Sequence, residues 1–211
     1  MSKRLTNIRI LWMVILTALI SFQGLSAAQP SAQSSLDKMV AAMKRHPSMD
    51  IVFTVWNNGN SSTGSMIVSG KNFHLSTPEM KVWYDGKTQW SYAPSAGEVN
   101  VTTPTADELT QTNPLSILAS LGKNFTCRRL KAPAGKERIE LIPKKKTSDF
   151  ASAIVTLTAS TSLPAEIVVK DAKGKSTIVK ISKITGTKAK SASQFKFNSA
   201  AYPGVEIVDL R

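Results

Sequence analysis

The sequence has 211 residues, 42% hydrophobic and 19% charged, which excludes a disordered chain and suffices for one domain with a sizeable core. Its 27 Lys and Arg residues outnumber 14 Asp and Glu residues, and the resulting net charge of +13 favours attraction to anionic surfaces such as a membrane or an acidic partner. Because the lysines are scattered along the predicted strands, they are also typical of a solvated face with protected edges, and both interpretations stay open. The single cysteine, Cys127, excludes an intramolecular disulfide. We expect it to be a small buried hydrophobe on a strand rather than a reactive thiol.

The first 28 residues have the pattern of a secretory signal peptide. Three basic residues precede an apolar run over 10–20, and small residues follow up to Ala28. We therefore expect residues 1–28 to be cleaved and residues 29–211 to form a single domain, exported in soluble form to the periplasm. Cleavage would remove three basic and no acidic residues, which leaves a net charge of +10 (13 − 3). Export argues against nucleic acid as a partner.

The mature chain begins with a predicted helix and continues almost entirely as strands. Leu36, Met39, Val40 and Met43 recur at helical spacing, which predicts a helix from Leu36 to about Arg45 with Ser35 as its cap. Alternating segments separated by turns predict strands at 49–57, 62–69, 73–76, 82–84, 88–92, 98–101, 125–130, 138–143, 154–159, 163–170, 176–184, 194–198 and 205–210. Without alternating helices, these strands indicate one antiparallel sheet, curved or barrel-like.

A hairpin in the middle of the chain has one strongly aromatic face. Asp85-Gly86 predicts a two-residue turn that would pair Trp83 with Thr88 and Lys81 with Trp90. Alternation places Trp90 and Tyr92 on one side, and a following turn that brings Val99 opposite Tyr92 would add Val99 and Val101 to it. Two interpretations remain open: an ordinary core, or the floor of an apolar cavity.

Two short helices are predicted after this hairpin. Thr105 is a candidate cap, with Asp107 and Glu108 in the first helical turn. Asn113-Pro114 opens a second helix over 115–121 that is apolar on most of its surface. If the aromatic face is a cavity floor, these helices are its cover, through Leu109, Leu115, Ile117, Leu118 and Leu121.

The sequence contains no pattern that predicts catalysis or a metal site. The histidines His46 and His74 lie in different neighbourhoods, and no metalloprotease, nucleophile-elbow, phosphate-loop or paired-cysteine motif is present. Asp107-Glu108 is the only adjacent carboxylate pair, and its place at a helix start explains it. We therefore expect a protein that is not an enzyme and has no cofactor or metal.

Two groups of residues resemble the LolA family of periplasmic outer-membrane lipoprotein carriers. The first is Asp85-Gly86-Lys87-Thr88-x-Trp90-x-Tyr92-x-Pro94, followed by Glu98 and by Asn113-Pro114-Leu115-x-Ile117-Leu118-Ala119. The second is Phe195-x-Phe197 with Gly204-Val205-x-Ile207-Val208-Asp209. The chain looks closer to LolA-like proteins of Bacteroidetes-type genomes than to the best-known carriers of the family. The resemblance implies a mainly β fold: an unclosed antiparallel barrel with an N-terminal helix and a helical lid.

The resemblance also implies a function and a site. The concave side of the family fold holds the acyl chains of lipoproteins on their way from the inner to the outer membrane. We assign this cavity to apolar residues of the predicted strands: Phe53, Val55, Phe73, Leu75, Trp83, Trp90, Tyr92, Val99 and Val101. The family's lid-latching arginine is missing, and Lys71 stands at the matching place as a possible latch, although lysine cannot form a bidentate fork.

The implied partners are acylated lipoproteins and an inner-membrane lipoprotein-releasing transporter; an outer-membrane acceptor is left open, and a monomer is expected. A second hypothesis keeps the same half-barrel as a sensor or regulatory module that binds lipid or lipoprotein without transporting it.

Overall fold

The computed structural model describes residues 31–105, 108–109, 125–144 and 151–211. In these ranges it contains helix α1 (Ala32–Met43), two 3-10 helices, Ala192–Phe195 and Ser199–Ala201, and the α-helical residues 108–109. The strands are β1 (Ser48–Asn57), β2 (Asn60–Ser69), β3 (Asn72–Ser76), β4 (Lys81–Tyr84), β5 (Gln89–Ala93), β6 (Glu98–Thr102), β7 (Phe125–Leu130), β8 (Lys136–Pro143), β9 (Ser152–Thr158), β10 (Pro164–Lys170), β11 (Ser176–Thr187) and β12 (Glu206–Asp209).

All strands belong to one sheet with the order β12-β6-β5-β4-β3-β2-β1-β11-β10-β9-β8-β7. Neighbours are antiparallel except β12, which runs parallel to β6. Among the described residues, β7 and β12 form two edges that do not meet, so the sheet is an open half-barrel. The predicted fold class, mainly β and unclosed with an N-terminal helix, is confirmed.

The inner face of the half-barrel forms one core. Alternating residues of β1 to β4 and of β7 to β10 point to this face, because strand register places paired residues on the same side. Ile51 and Val82, from the strands β1 to β4, belong to the same buried cluster as Ile139 and Val155, from the strands β7 to β10. Since both sets of strands contribute to one cluster, the sheet curves around it.

Helix α1 covers part of this face, and its position differs from the prediction. Ser31 caps the helix, and its side chain accepts a hydrogen bond from the Ser34 N–H group at 3.0 Å. Ser35, the predicted cap, is a buried residue inside the helix, where its Oγ accepts a hydrogen bond from Arg129 of β7 at 2.7 Å. The helix therefore starts one turn earlier than predicted and ends at Met43. Leu36 and Met39 are fully buried in the core.

The C-terminal segment also differs from the prediction. The sequence predicts a strand over 194–198, but Ala192–Phe195 is a 3-10 helix that packs against β3 and β4. The chain leaves β11 near the centre of the sheet and crosses to the far edge before β12 begins. This long crossing explains why β12 pairs with β6 in the parallel direction, whereas a short hairpin would give an antiparallel pair.

The central hairpin has a longer turn than predicted. Trp83 pairs with Trp90 and Lys81 pairs with Tyr92, so the predicted pairs of Trp83 with Thr88 and of Lys81 with Trp90 are wrong. Asp85 explains the difference, because its carboxylate accepts hydrogen bonds from the N–H groups of Lys87 and Thr88 and its own N–H donates to the Thr88 carbonyl. The loop therefore has four residues rather than two. The predicted pair of Val99 with Tyr92 is confirmed.

Candidate functional site

A cavity of about 390 Å³ lies on the inner face, over the centre of the sheet. Its volume is in the range of small-molecule sites in proteins. Strand β1 forms its floor because it lies between β2 and β11, and its alternate side chains all point inward. The lining residues are mostly apolar: Ile51, Phe53, Val55, Asn57, Ser62, Met66, Leu75, Thr77, Glu79, Met80, Thr177, Val179 and Ile181.

Two backbone features shape the cavity floor. Gly64 of β2 lies opposite Phe53, and a Cβ at this position would come within 2.9 Å of the phenyl ring and 2.7 Å of the Ser76 carbonyl. Only glycine leaves room for the ring. In the pairing of β1 with β11, the register shifts between Val52 and Phe53, and Ser182 donates a hydrogen bond to the Val52 carbonyl at 3.1 Å. Such bulges bend and twist a sheet, here directly under the cavity.

One end of the cavity is polar. Asn57, Ser62, Thr77 and Thr177 gather there with Glu79, the charged residue among the described lining residues. The Ser62 hydroxyl donates a hydrogen bond to the Glu79 carboxylate at 2.7 Å. This bond, together with bonds from the Glu79 backbone and from Thr77, lowers the pKa of Glu79. The exposed carboxylate is therefore ionised at neutral pH, and the cavity combines an apolar floor with a hydrogen-bonding end.

The predicted cavity residues separate into two groups in the structure. Phe53, Val55 and Leu75 line the cavity, and Phe73 lies on the same inner face, where its ring is 5.4 Å from that of Tyr84. The other five share one face, as expected, but it is the outer face: Trp83, Trp90, Tyr92, Val99 and Val101. The structure does not bring them to the cavity, because β3 pairs Phe73 with Tyr84 and His74 with Trp83.

The C-terminal segment covers this outer face of the hairpin. Trp83, which is 6% exposed, has Phe197 at 5.4 Å and Tyr202 at 5.8 Å between ring centroids. Tyr92 lies 5.0 Å from Tyr202, whose hydroxyl accepts a hydrogen bond from the Lys81 ammonium group at 3.1 Å. We call the four aromatic residues Trp83, Tyr92, Phe197 and Tyr202, together with Lys81, the outer aromatic cluster. It is a packed part of the fold with edge-on ring contacts that stabilise it.

The sequence predicted three of the thirteen described lining residues. It missed the other ten, most of which lie on strands far apart in the chain or at the polar end of the cavity: Ile51, Asn57, Ser62, Met66, Thr77, Glu79, Met80, Thr177, Val179 and Ile181. Alternation in 51–55 and 176–184 marked apolar faces, but the pairing of β1 with β11, over more than a hundred residues, could not be read from it. Phe195, Phe197 and Tyr202 were the available signal for the outer cover, because three aromatics in a Ser-, Ala- and Lys-rich segment need an apolar surface.

Only some of the residues predicted to form the lid and its latch lie among the described residues. Thr105 is a helix cap, since its hydroxyl and N–H donate to the Glu108 carboxylate and its Oγ accepts from the Glu108 N–H group. Leu109 is half-buried and packs against the core cluster. Leu115, Ile117, Leu118 and Leu121 lie outside the described residues. Lys71 is exposed, and its side chain lies over Gly86 in the turn after β4.

Cys127 is partly buried against the inner core. Its thiol donates a hydrogen bond to the Gln33 side-chain carbonyl at 3.7 Å, and burial raises the pKa of the thiol. Both features keep the thiol protonated at neutral pH.

Within the described ranges, no three His, Cys, Asp or Glu side chains come together as a metal site. In the same residues, no helix is both long and apolar enough to span a membrane. The described lining of the cavity offers an apolar floor that can contact a hydrophobic group and a polar end that can form hydrogen bonds.

Residues 24–173 match the model of a family described as outer membrane lipoprotein carrier protein LolA. The chain belongs to this family. The family's description is that of a carrier and not of a catalyst, in agreement with a cavity suited to binding. The finer prediction of a Bacteroidetes-type LolA member stays a prediction. No curated protein matches the sequence.

Two solved structures of similar proteins are covered almost completely by this chain. An uncharacterized conserved protein from Thermus thermophilus is 12% identical and has a TM-score of 0.58, over 84% of this chain and 98% of that one. A LolA superfamily protein from Nitrosomonas europaea is 14% identical with a TM-score of 0.43, over 80% of this chain and 98% of that one. At 12% identity the Thermus protein supports the fold alone.

Proposed function

We propose that this LolA-family protein is a periplasmic carrier that shields the acyl chains of lipoproteins between the inner and the outer membrane. The observation that carries the proposal is the inner-face cavity of about 390 Å³ with its apolar floor and polar end. Family membership supports it independently. In this proposal residues 1–28 direct export and are removed, and residues 29–211 act as a single, monomeric domain.

The chemistry of the cargo requires such a cavity. Each acyl CH₂ group that leaves a membrane for water costs about 0.8 kcal/mol, so two or three chains cost on the order of tens of kcal/mol. A carrier must offset this cost by burying the chains and must also release them. Ile51, Phe53 and Val179 on the inner face are suited to burying the acyl chains. The cavity is partly open, which is suited to their release.

The cavity also indicates how a lipoprotein would lie in it. We expect the acyl chains to lie on the floor around Phe53 and Ile181, with the first peptide groups at the polar end. There the Glu79 carboxylate and the Asn57 amide can accept hydrogen bonds from peptide N–H groups. Leu109, Leu115, Ile117, Leu118 and Leu121 are proposed as the movable cover, and Lys71 as its latch.

The proposal includes partners at both ends of the route. An inner-membrane lipoprotein-releasing transporter would load the cavity, and an outer-membrane acceptor, where one exists, would unload it. No nucleic acid, cofactor or metal takes part.

Native mass spectrometry of the protein purified from its own periplasm tests this function. We expect a complex whose extra mass, after organic extraction, separates into an acylated polypeptide. A bound phospholipid without polypeptide would replace the carrier by the alternative, a lipid-binding sensor module. A protein that holds neither, and that also fails to bind a synthetic lipopeptide, would contradict both.

A further inference from the structure

An apolar row crosses four strands on the outer face of the sheet, behind the cavity. Trp56 of β1 pairs with Ile178 of β11, Ile178 pairs with Val168 of β10, and Val168 pairs with Ile154 of β9. The register therefore aligns these four side chains on one side. Their chain neighbours, such as Val55 and Val179, point to the inner face, and all four residues of the row are only half-buried.

Exposed lysines flank this row. Lys180 follows Ile178 on the same face of β11, and its Nζ lies 5.0 Å from the centre of the Trp56 ring. Lys183 pairs with Val52, Lys170 ends β10, and Lys173 and Lys175 occupy the turn between β10 and β11; all five lysines are exposed. We call the apolar row and these lysines, together, the basic outer stripe.

Among the described residues, few carboxylates oppose the lysines of the basic outer stripe. Glu166 lies opposite Lys180 in the pairing of β10 with β11. Asp171 accepts hydrogen bonds from the N–H groups of Lys173 and Lys175, which holds the turn but leaves their side chains exposed.

Two further carboxylates on the outer face are paired with other cations. Glu140 of β8 lies opposite Ile154 and forms an ion pair with Arg128. Asp50 of β1 forms one with Lys190. The five lysines outnumber the described carboxylates that remain, Glu166 and Asp171, so the stripe carries a positive charge.

The stripe and the cavity lie at the same end of their strands. Asn57 and Thr177, at the polar end of the cavity, are the chain neighbours of Trp56 and Ile178. A surface that contacts the stripe is therefore close to the cavity end through which a hydrophobic ligand would pass.

We propose that the basic outer stripe docks onto the surface of anionic phospholipid bilayers. A row one residue wide between lysines is too narrow to anchor a large protein partner, whose interface needs a broad buried centre. It fits a bilayer surface, because an indole ring lies at the level of the headgroups while lysine ammonium groups contact lipid phosphates. Charge complementarity with anionic headgroups supplies the attraction, and docking brings the polar end of the cavity to the membrane.

Flotation of the mature protein with vesicles tests this docking. We expect binding to vesicles of equimolar phosphatidylglycerol and phosphatidylcholine, little binding to phosphatidylcholine alone, and weaker binding at high salt. The double variant Lys180→Glu/Lys183→Glu should bind at least about 25-fold more weakly, since each lysine near an anionic surface contributes about fivefold. These lysines are exposed, so the fold should persist, and circular dichroism checks this.

A matched variant separates the stripe from net charge. Lys38→Glu/Lys87→Glu changes the total charge by the same amount at exposed positions on α1 and in the turn after β4. We expect it to keep most of the binding. Equal losses in both double variants would mean that only the overall charge attracts the vesicles, and would overturn the proposal.

Tryptophan fluorescence locates the contact. Brominated phosphatidylglycerol should quench the fluorescence of the bound protein, and Trp56→Phe should remove most of this quenching. Trp83→Phe is the control, because Trp83 is buried under Phe197 and Tyr202. Quenching that survives Trp56→Phe would overturn the stripe as the contact surface, and so would stable binding to an acidic protein together with none to anionic vesicles. A cavity that fails to bind lipopeptide would leave this result untouched, so the two proposals can fail separately.

Discussion

The cavity on the inner face and the outer aromatic cluster each arise from apolar side chains on one face of the sheet, but within the described residues only the outer aromatic cluster is covered by the chain itself. Both arise from strand alternation, with Phe53 and Val55 inward on β1 and Trp83 and Tyr92 outward on β4 and β5. The C-terminal segment covers the outer aromatic cluster, whereas the described residues leave about 390 Å³ open at the cavity on the inner face. The more aromatic surface is therefore the packed one. Apolar alternation identifies a face that needs cover but does not show whether cover comes from the chain or from a ligand.

The largest expected effect concerns the packed surface. Trp83→Ala should lower the free energy of unfolding by about 3–5 kcal/mol, as for other buried aromatic truncations. The thermal midpoint should fall by roughly 6–20 °C for a chain of this size. Trp90→Ala, at a half-buried position beside it, should cost less. If the thermal midpoint of Trp83→Ala were close to that of the wild type, the C-terminal segment would pack only loosely on Trp83, and the outer aromatic cluster could be reached by a ligand.

The cavity should give the opposite pattern, a loss of binding with little loss of stability. Val55→Asp places a carboxylate in the half-buried floor, and the affinity for a fluorescent lipopeptide should fall at least about tenfold, since the charge must be desolvated when the acyl chain enters. The thermal midpoint should change by a few degrees only, because a carboxylate at this half-buried position can still reach water. Isothermal titration and thermal melts of the same samples measure both quantities.

Val52→Asp is the control for this variant. It makes the same substitution on the same strand but on the outer face, where Val52 is 38% exposed. Lipopeptide binding should stay as in the wild type. If Val55→Asp unfolds the protein while Val52→Asp does not, the cavity floor is ordinary core, and its distinction from the outer aromatic cluster disappears.

A smaller effect probes how the cover is held. Tyr202→Phe removes the hydroxyl that accepts the Lys81 hydrogen bond and should destabilise the protein by about 1 kcal/mol, or roughly 2–4 °C in thermal midpoint. In a double-mutant cycle with Lys81→Met, the two changes should not add, because either one breaks the same bond. Full additivity would show that the bond does not contribute to the outer aromatic cluster.

Much of the fold could be predicted from the sequence because its signals are local. Turn residues and alternation located each strand of the described 12-stranded sheet within a few residues, and one further predicted strand, 194–198, begins as a 3-10 helix instead. The capping serine illustrates the limit. Ser31 and Ser35 both precede apolar residues, so both are candidate caps. Ser35 lies inside the helix, where it contacts Arg129 of β7, and a contact so far along the chain is not a local signal.

The site could be predicted less well because it depends on long-range pairing. Alternation correctly grouped Trp83, Trp90 and Tyr92 on one face. Whether that face is inner or outer depends on the curvature of the whole sheet and on where residues 195–202 cross it, and neither is a local property. Phe53, Val55 and Leu75 were placed in the cavity, whereas Val179 and Ile181 enter it only because β11 returns beside β1.

The smallest expected effect is a pH dependence of the free energy of unfolding, caused by His74 beside the outer aromatic cluster. The His74 ring stacks on Trp83 at 4.9 Å, and its Nε2 is buried without a hydrogen-bond partner among the described residues. Burial, and to a lesser degree the Lys81 charge, lowers the pKa of His74 below 6.5 in the folded protein. Since the unfolded chain takes up a proton first as the pH falls, stability should be highest above pH 6.5 and decrease as the pH falls through the folded-state pKa.

Thermal melts between about pH 7 and pH 5 measure this decrease, in a window above the ordinary carboxylate pKa values. His74→Leu should flatten the profile, because the ring that must stay neutral is gone. His46→Gln should keep the slope, because His46 is exposed in the turn before β1. Lipopeptide affinity at temperatures where the protein is folded should not follow the same profile, since His74 points away from the cavity. A common pH profile for stability and binding would mean that the two faces of the sheet are coupled through β3 and do not act as independent surfaces.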